Sequence, residues 1–240
     1  MSESLGAVLS GHATLLFLAL TLGALALAVA LWQAGGRHAL LNPTLVAIAL
    51  VAAALAATGS DVARYQAETS VIHLLLGPAV VALAVPLFRH APAVAARAVP
   101  LAVALVVGAV LNCVVALGVL AALGGTAATL VSLAPKSATA AVSMAVSAET
   151  GGIAALTAVV TILAGIVGAV AGPALLDRLG IADPLARGFG IGLASHGIGT
   201  ARAFQESEAA GTASGLAMGL NAVLTALIVP VVLRLLGLLP

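Results

Sequence analysis

The stretch AVPLAVALVVGAVLNCVVALGVLAAL, residues 98–123, contains no charged residue and exceeds the roughly 20 apolar residues that a membrane-spanning helix needs. The rest of the chain has the same character, since 62% of its 240 residues are hydrophobic and 7% are charged. Soluble domains carry about 25% charged residues, which cover the surface that faces water. We therefore expect an all-α, polytopic integral membrane helix bundle, with hydrocarbon in place of water around most of its surface.

Charged residues are so rare that they mark the limits of the hydrophobic segments. Uncharged runs cover residues 4–36, 38–60, 69–88, 98–135, 150–176 and 209–233. The glycines at 124 and 125 divide the run 98–135, and with the stretch 187–204 the total is about eight segments. We treat residues 1–240 as one transmembrane domain, whose first span at 1–36 lacks the positive start of a cleavable signal peptide.

Two of these segments are polar and interrupted, which is unusual for a lipid-facing helix. One contains SLAPKSAT at 132–139, and the other contains RGFGIGLASHGIGTARAF at 187–204. Proline removes a helical hydrogen bond and glycine permits an unwound backbone. One or both segments are therefore predicted to be interrupted or re-entrant.

The arginines predict a topology, because cytoplasmic loops collect Lys and Arg. If residues 129–148 enter and leave on the same side, one side holds Arg37, Arg89, Arg97, Arg178, Arg187 and Arg234. The opposite side then holds Asp61, Glu68, Glu149, Glu206 and Glu208, while Arg64 is an exception. We take the arginine side as cytoplasmic.

Weak matches within the chain indicate an internal repeat at an offset of 57 residues. Five residues recur at this offset: Leu76, Pro78, Ala84, Val85 and Gly108 match Leu133, Pro135, Ala141, Val142 and Gly165. Chance matches are common in a chain so rich in Ala and Val, so duplication and coincidence are both open. Paired interrupted segments in two halves of a chain are typical of a transporter's binding site.

Lys136 is the clearest candidate for a functional residue, because an ionisable group at mid-membrane costs at least roughly 2.5–3.5 kcal/mol unless it is paired or hydrated. It follows Pro135 and precedes the hydroxyl groups of Ser137 and Thr139. An ammonium group beside free backbone N–H groups suits an anionic substrate. The alternatives are that Lys136 reaches water from a short re-entrant tip, or that it pairs with Glu149.

A second cluster of candidate residues lies in the other polar segment. It comprises Ser195, His196, Thr200 and Arg202, set among Gly192, Gly197 and Gly199. The glycines favour an unwound backbone whose amide groups contact a ligand. Ser195 and His196 are neighbours and point in different directions on a helix, which disfavours a serine nucleophile with its own base. The alternatives are a packed interface histidine for His196 and an interfacial anchor for Arg202.

Four further residues are candidates for lining or coupling. Asn112 lies alone in an apolar helix, where we favour an interhelical hydrogen bond over cavity lining. Pro78 marks a kink, with ligand contact as the alternative, and Pro135 interrupts the first polar segment. Glu206 either belongs to a solvated turn or couples a proton, a role for which His196 is the other candidate.

Several functional classes are disfavoured by the sequence. No nucleophile, base and metal set is evident, so we do not expect an enzyme. The chain has no phosphate-binding loop, its five histidines lack metal-ligand spacing, and the single Cys113 excludes an internal disulfide. A net charge of +1 gives no indication of nucleic-acid binding, and we expect no metal or cofactor.

Five short motifs carry a resemblance to a known family. They are LLGPA (75–79), APKSAT (134–139), GGIAALTA (151–158), ASHGIGTARA (194–203) and SGLAMGL (214–220). With these motifs the chain resembles the LrgB/CidB family of antiholin-like bacterial membrane proteins, which is related to the plastid glycolate/glycerate transporter of plants. The likeness runs from about residue 40 to the C-terminus, and the fourth motif is the most specific.

The resemblance implies a membrane protein that passes small monocarboxylates such as pyruvate, glycolate or glycerate. As a secondary transporter, it would neutralise the carboxylate with Lys136 and orient it with the hydroxyl groups and glycines of the two polar segments. The alternative is a holin- or antiholin-like regulator of murein hydrolases and cell lysis. The family also implies a bacterial cytoplasmic membrane and a small LrgA/CidA-like membrane partner, and the many small residues make a homodimer our expectation.

Overall fold

A computed structural model describes residues 2–38 and 41–239. Within these residues the chain forms eleven α-helices, and its contacts divide it into two compact units, Met1–Ala84 and Val85–Pro240. The helices are α1 Ser2–Ala34, α2 Pro43–Thr58, α3 Val62–Glu68, α4 Ser70–Ala82, α5 Ala84–Ala95, α6 Ala98–Ala122, α7 Ala127–Leu133, α8 Ala140–Glu149, α9 Ala154–Arg178, α10 Pro184–Glu206 and α11 Glu208–Leu235.

Five helical stretches of the described residues are long and apolar enough to cross a membrane. They are His12–Ala34, Ser70–Ala95, α6, α9 and α11, and a sixth results if α2 and α3, bent by 119°, count as one span. The predicted all-α membrane bundle is confirmed. The predicted number of about eight segments is not confirmed, because the two polar segments, at 129–148 and 187–204, fold into hairpins of short helices.

In the first unit, α1 packs against α2 and α3. The Tyr65 ring meets the Phe17 ring edge-on with centroids 5.5 Å apart, and the Tyr65 hydroxyl lies 2.8 Å from the Thr21 hydroxyl. Helix α2 begins after Asn42, whose side chain accepts hydrogen bonds from the first backbone N–H groups. It ends at Gly59, which adopts the left-handed conformation with φ of 62°.

In the second unit, α7 and α8 form a first hairpin with Thr139 at its tip. The Ser143 hydroxyl donates to the Pro135 carbonyl at 2.6 Å, which joins residues on opposite limbs. The Thr157 hydroxyl of α9 lies 2.8 Å from the Ser132 carbonyl oxygen and 2.7 Å from the Ser147 hydroxyl, so one side chain touches both limbs. The predicted reversal within residues 129–148 is therefore confirmed.

Helix α10 is a second hairpin, whose two limbs join at His196. The backbone there has φ of 40° and ψ of −134°, so the helix stops and restarts. The Nε atom of Arg187, in the first turn, lies 3.0 Å from Oε2 of Glu206 in the last turn. A straight helix would separate these two residues by about 28 Å. The chain therefore reverses direction at His196.

The two hairpins enter the second unit from opposite ends of α9. The first hairpin precedes the start of α9 at Ala154, and the second follows its end at Arg178. Helix α9 has 25 residues and a length of about 37 Å, enough to cross the hydrocarbon core. Neither limb of a hairpin is long enough to do so, and the two tips therefore point toward each other from opposite faces.

The helix-plus-hairpin arrangement occurs twice in the second unit. The first hairpin runs from Ala127 to Glu149 and the second from Pro184 to Glu206, a shift of 57 residues at both ends. An ion pair of 3.0 Å joins Arg97, the residue before α6, to Asp183, the residue before α10 and five residues after α9 ends. The start of α6 and the end of α9 therefore lie at the same end of the second unit, so the helices that precede the hairpins run in opposite directions. The arrangement is an inverted repeat, and its shift equals that of the weak sequence matches.

The predicted distribution of charges between the two sides is wrong in three respects. Arg187 and Glu206, expected on opposite sides, form an ion pair, because the chain reverses between them. Arg89 and Glu208, also expected on opposite sides, lie 3.4 Å apart. Arg234 lies near the far end of the 28-residue α11 and cannot share a side with Arg187.

Small residues allow the second hairpin to pack closely on α11. A Cβ atom on Gly188 would overlap the carbonyl oxygen of Ala210, and one on Gly192 would overlap that of Ser214. Both obstacles are backbone atoms, which cannot rotate away. Glycine at these two positions therefore permits the direct backbone contact between the hairpin's first limb and α11.

Candidate functional site

The tips of the two hairpins are joined by Asn221, at the middle of α11. Its amide nitrogen Nδ2 donates to the Ser137 carbonyl of the first hairpin at 2.9 Å and to the Leu193 carbonyl of the second at 3.3 Å. The Asn221 side chain is fully buried. Both amide hydrogens are thus used, and the carbonyls of two interrupted segments are satisfied by one side chain.

Lys136 precedes Ser137 at the tip of the first hairpin and is partly buried. Among the described residues, no carboxylate forms an ion pair with it, so it does not pair with Glu149. Lys136 and Asn112 line one groove of about 570 Å³, whose remaining lining is apolar. The groove therefore presents an unpaired cation and a carboxamide within otherwise apolar walls.

The first hairpin also presents a helix N-terminus at its tip. Thr139 precedes α8 in an extended conformation, with φ of −63° and ψ of 151°, and its side chain makes no capping hydrogen bond. The first N–H groups of an α-helix have no partner within the helix, and the helix dipole adds partial positive charge there. Together with Lys136, this end of α8 favours an anion.

His196 forms the tip of the second hairpin. Its Nε2 atom lies 2.9 Å from the Thr161 carbonyl oxygen of α9, which can only accept, so Nε2 carries the proton in this contact. His196 is buried, and Lys136 lies within electrostatic range of it. A positive φ is uncommon for a residue other than glycine and is characteristic of functional sites. The two tips thus bring Lys136 and His196 into the same region.

Most of the predicted hydroxyl groups support the hairpins. Thr200 donates to the His196 carbonyl at 2.9 Å and lies 2.9 Å from the Ser214 hydroxyl of α11. Ser137 and Ser195 are 2% and 1% exposed, and Ser195 packs against Gly168. Thr139 is the partly exposed one among these hydroxyl-bearing residues.

The glycines of the second cluster differ in burial, since Gly199 is packed between the two limbs and Gly197 is exposed. Gly199 lies against Ile191 of the opposite limb, where a Cβ would come within 2.9 Å of its side chain, and so permits the limbs to approach. Gly197 directly follows the reversal and is exposed.

The two candidate prolines lie in different units. Pro135 is fully buried in the first hairpin. Pro78 lies within α4 of the first unit.

Arg202 and Glu206 lie away from the tips, at the base of the second hairpin. Glu206 accepts from Arg187 at 3.0 Å and lies 3.7 Å from Arg202. Arg187 also contacts Asp177 of α9 at 2.7 Å. These charges neutralise one another and tie the two limbs together. The structure therefore places Arg202 and Lys136 in different parts of the second unit.

Sequence reasoning missed Asn221 and Thr161. Asn221 shows the same signal that drew attention to Asn112, a lone carboxamide in an apolar helix. Thr161 is fully buried, and its hydroxyl has no hydrogen-bond partner in the described residues, while its carbonyl contacts His196. Nothing in an apolar helix distinguishes such a threonine from one that bonds to its own backbone.

Comparison with known proteins identifies the family. The LrgB-like family matches residues 21–235, which include both hairpins. The chain belongs to the LrgB-like family. Its match to this family begins within α1, earlier than the predicted limit near residue 40. The resemblance seen in the five motifs is therefore confirmed.

LrgB-like relatives cover most of the chain. It is 32% identical over 199 residues to the holin-like protein CidB of Staphylococcus epidermidis, which is 83% of this chain and 87% of that protein. It is 33% identical over 195 residues to YxaC of Bacillus subtilis, 81% of this chain and 85% of that protein. It is 31% identical over 195 residues to the holin-like protein CidB of Staphylococcus aureus, with the same coverage. No solved structure matches the chain.

Proposed function

We propose that this LrgB-like protein is a secondary transporter of small monocarboxylates, of the pyruvate, glycolate or glycerate class, in a bacterial cytoplasmic membrane. The observation that carries the proposal is the unpaired cation of Lys136 at the tip of an interrupted segment. A membrane-embedded ammonium without a carboxylate partner costs several kcal/mol. A substrate carboxylate would supply the missing partner.

The surroundings of Lys136 support an anion with one negative charge. The uncapped start of α8, four residues after the lysine at the same hairpin tip, adds N–H donors and partial positive charge there. The arginines of the second hairpin are engaged by Glu206 and Asp177, so they offer no second free cation at the tips. One ammonium group and one helix terminus match one carboxylate.

The arrangement of the hairpins supports transport over static binding. Inverted repeats with interrupted helices near the membrane midplane are typical of secondary transporters. Here the hairpins enter from opposite faces and meet at Asn221, so movement of either hairpin would expose the same site to one face. In this proposal His196 is the proton-coupling candidate, since two arginines hold the Glu206 carboxylate.

A holin-like role is the second candidate, since the staphylococcal relatives are named holin-like proteins. In that case the protein would regulate murein hydrolases and lysis, together with a small membrane partner. Such a role requires no saturable substrate site at Lys136. The two candidates therefore differ in a measurable property, the saturation of carboxylate flux.

Uptake of radiolabelled pyruvate, glycolate and glycerate into proteoliposomes tests the proposal. We expect saturable uptake that unlabelled carboxylates compete for, and loss of that uptake in Lys136→Ala. Arg234→Ala, which removes an exposed cation from the end of α11, is the matched control and should retain uptake. Flux that does not saturate, or full uptake by Lys136→Ala, would contradict the proposal.

A further inference from the structure

The groove beside Lys136 is much larger than the substrates proposed above require. It is open along the side of α6 where Leu111, Val115 and Val119 are exposed, and its volume is about 570 Å³, compared with about 300–1,000 Å³ for pockets that take drug-sized ligands. A three-carbon acid has six or seven heavy atoms and fills on the order of 100 Å³, given that one water occupies about 30 Å³ of the liquid. Most of the groove therefore lies beyond the carboxylate's neighbourhood.

The groove follows a single stripe of α6 from Gly108 to Leu120. The twelve helical steps between these two residues correspond to a length of about 18 Å. Leu133 and Lys136 of the first hairpin and Val160 of α9 complete its lining. The space is thus elongated, with walls supplied by three elements of the second unit.

The lining of the groove suits a ligand that is polar at one end and apolar along the rest of its length. Asn112 and Lys136 are its two polar side chains, and its other lining residues are apolar or glycine. A second charge or several hydroxyl groups on a ligand would lose hydration against these walls without gaining a partner. An unsubstituted carbon chain would instead be transferred from water to an apolar surface.

We propose that the groove binds carboxylates with an apolar tail of about four to eight carbons, the carboxylate at Lys136 and the tail along α6. This inference rests on the proposed function, since it assigns Lys136 the same partner. Affinity rises with chain length because each buried methylene contributes about fourfold. The groove is complementary to such a ligand in charge at one point and in polarity elsewhere.

Competition in proteoliposomes tests this inference. Labelled pyruvate uptake is inhibited with straight-chain acids of three to eight carbons, and the half-inhibitory concentration is measured for each. We expect that concentration to fall about fourfold per added carbon in the native protein. A flat series would overturn the inference while leaving the proposed function intact.

A pair of variants separates binding in the groove from partition of the acids into lipid. Ala116→Leu narrows the groove, whereas Ala104→Leu adds the same bulk to an exposed part of α6 outside it. We expect the dependence on chain length to flatten in Ala116→Leu and to persist in Ala104→Leu. An equal dependence in both variants would mean that lipid, and not the acid's tail, occupies the groove.

The melting temperature of the full chain in nanodiscs measures ligand binding in the groove independently of transport. If pyruvate uptake is absent, the proposed function fails, yet octanoate should still raise the melting temperature of the native protein more than that of Ala116→Leu. Equal shifts in the two proteins would overturn the inference itself.

Discussion

The amide nitrogen of Asn221 donates a hydrogen bond of 2.9 Å to the backbone carbonyl of Ser137, although 84 residues separate the two in sequence. The same nitrogen donates to Leu193 at 3.3 Å, so one side chain of α11 holds the tips of two hairpins that enter from opposite faces. This relationship places Lys136, the residue before Ser137, in the region of His196.

We predict that Asn221→Leu destabilises the protein and impairs carboxylate uptake. Leucine has the same branching and number of heavy atoms but bulkier methyl groups and no donor, so two buried carbonyl groups lose their partner, at a cost of about 1–3 kcal/mol. Thermal unfolding in nanodiscs measures the stability, and uptake measures the function. Thr225→Val, which keeps the shape of the side chain and removes the hydroxyl with its 3.5 Å contact to the Asn221 oxygen, is the control and should cost less. Equal stability of Asn221→Leu and the native protein would contradict this role.

The membrane fold and one of the two hairpins could be predicted from the sequence. Scarcity of charge requires a lipid environment, and Pro135 next to Lys136 marks a helix that cannot continue through lipid. These are local properties of composition and backbone chemistry, and they do not depend on distant residues.

The reversal at His196 could not be predicted in the same way. Glycines around it indicated an unwound backbone, but both limbs are helical and the residue with positive φ is a histidine. The predicted topology was then wrong for Glu206, Glu208 and Arg234, because it counted residues 187–204 as a segment that crosses the membrane. Contacts between residues distant in sequence decide such a fold, and no local pattern records them.

We predict that the ion pairs at the base of the second hairpin stabilise it. Arg187 and Glu206 have side chains that are 13% and 16% exposed, and removal of Arg187 leaves the largely buried Glu206 carboxylate with only the longer 3.7 Å contact to Arg202. Arg187→Ala should cost roughly 2–4 kcal/mol. Arg89→Ala is the matched control, because Arg89 and Glu208 are 66% and 51% exposed and such pairs contribute under about 1 kcal/mol. Similar melting temperatures for the two variants would argue against this account.

We predict opposite outcomes for alanine at two neighbouring glycines of α10. Gly192→Ala would place a methyl group against the Ser214 carbonyl and should cost about 1–3 kcal/mol. Gly190→Ala meets no atom within 4 Å and should be neutral or stabilising by up to about 1 kcal/mol, since alanine favours helix. Denaturation of both variants measures the difference, and equal effects would show that α10 and α11 do not pack this closely.

Cysteine labelling from each face of the membrane checks the inverted arrangement. In a Cys113→Ala background, we predict that Ala182→Cys and Glu208→Cys react with an impermeant maleimide from one face, because both adjoin the base of the second hairpin. Ala148→Cys, at the base of the first hairpin, should react from the other face. Labelling of positions 182 and 208 from opposite faces would mean that α10 crosses the membrane after all.

Equilibrium binding of a labelled monocarboxylate to purified protein tests most directly whether Lys136 is the substrate's partner. Loss of one member of a desolvated ion pair costs about 2–5 kcal/mol, so Lys136→Met should bind at least about thirtyfold more weakly than the native chain. Arg234→Met, with the same substitution at an exposed cation, should bind as the native protein does. Native affinity in Lys136→Met would contradict the account.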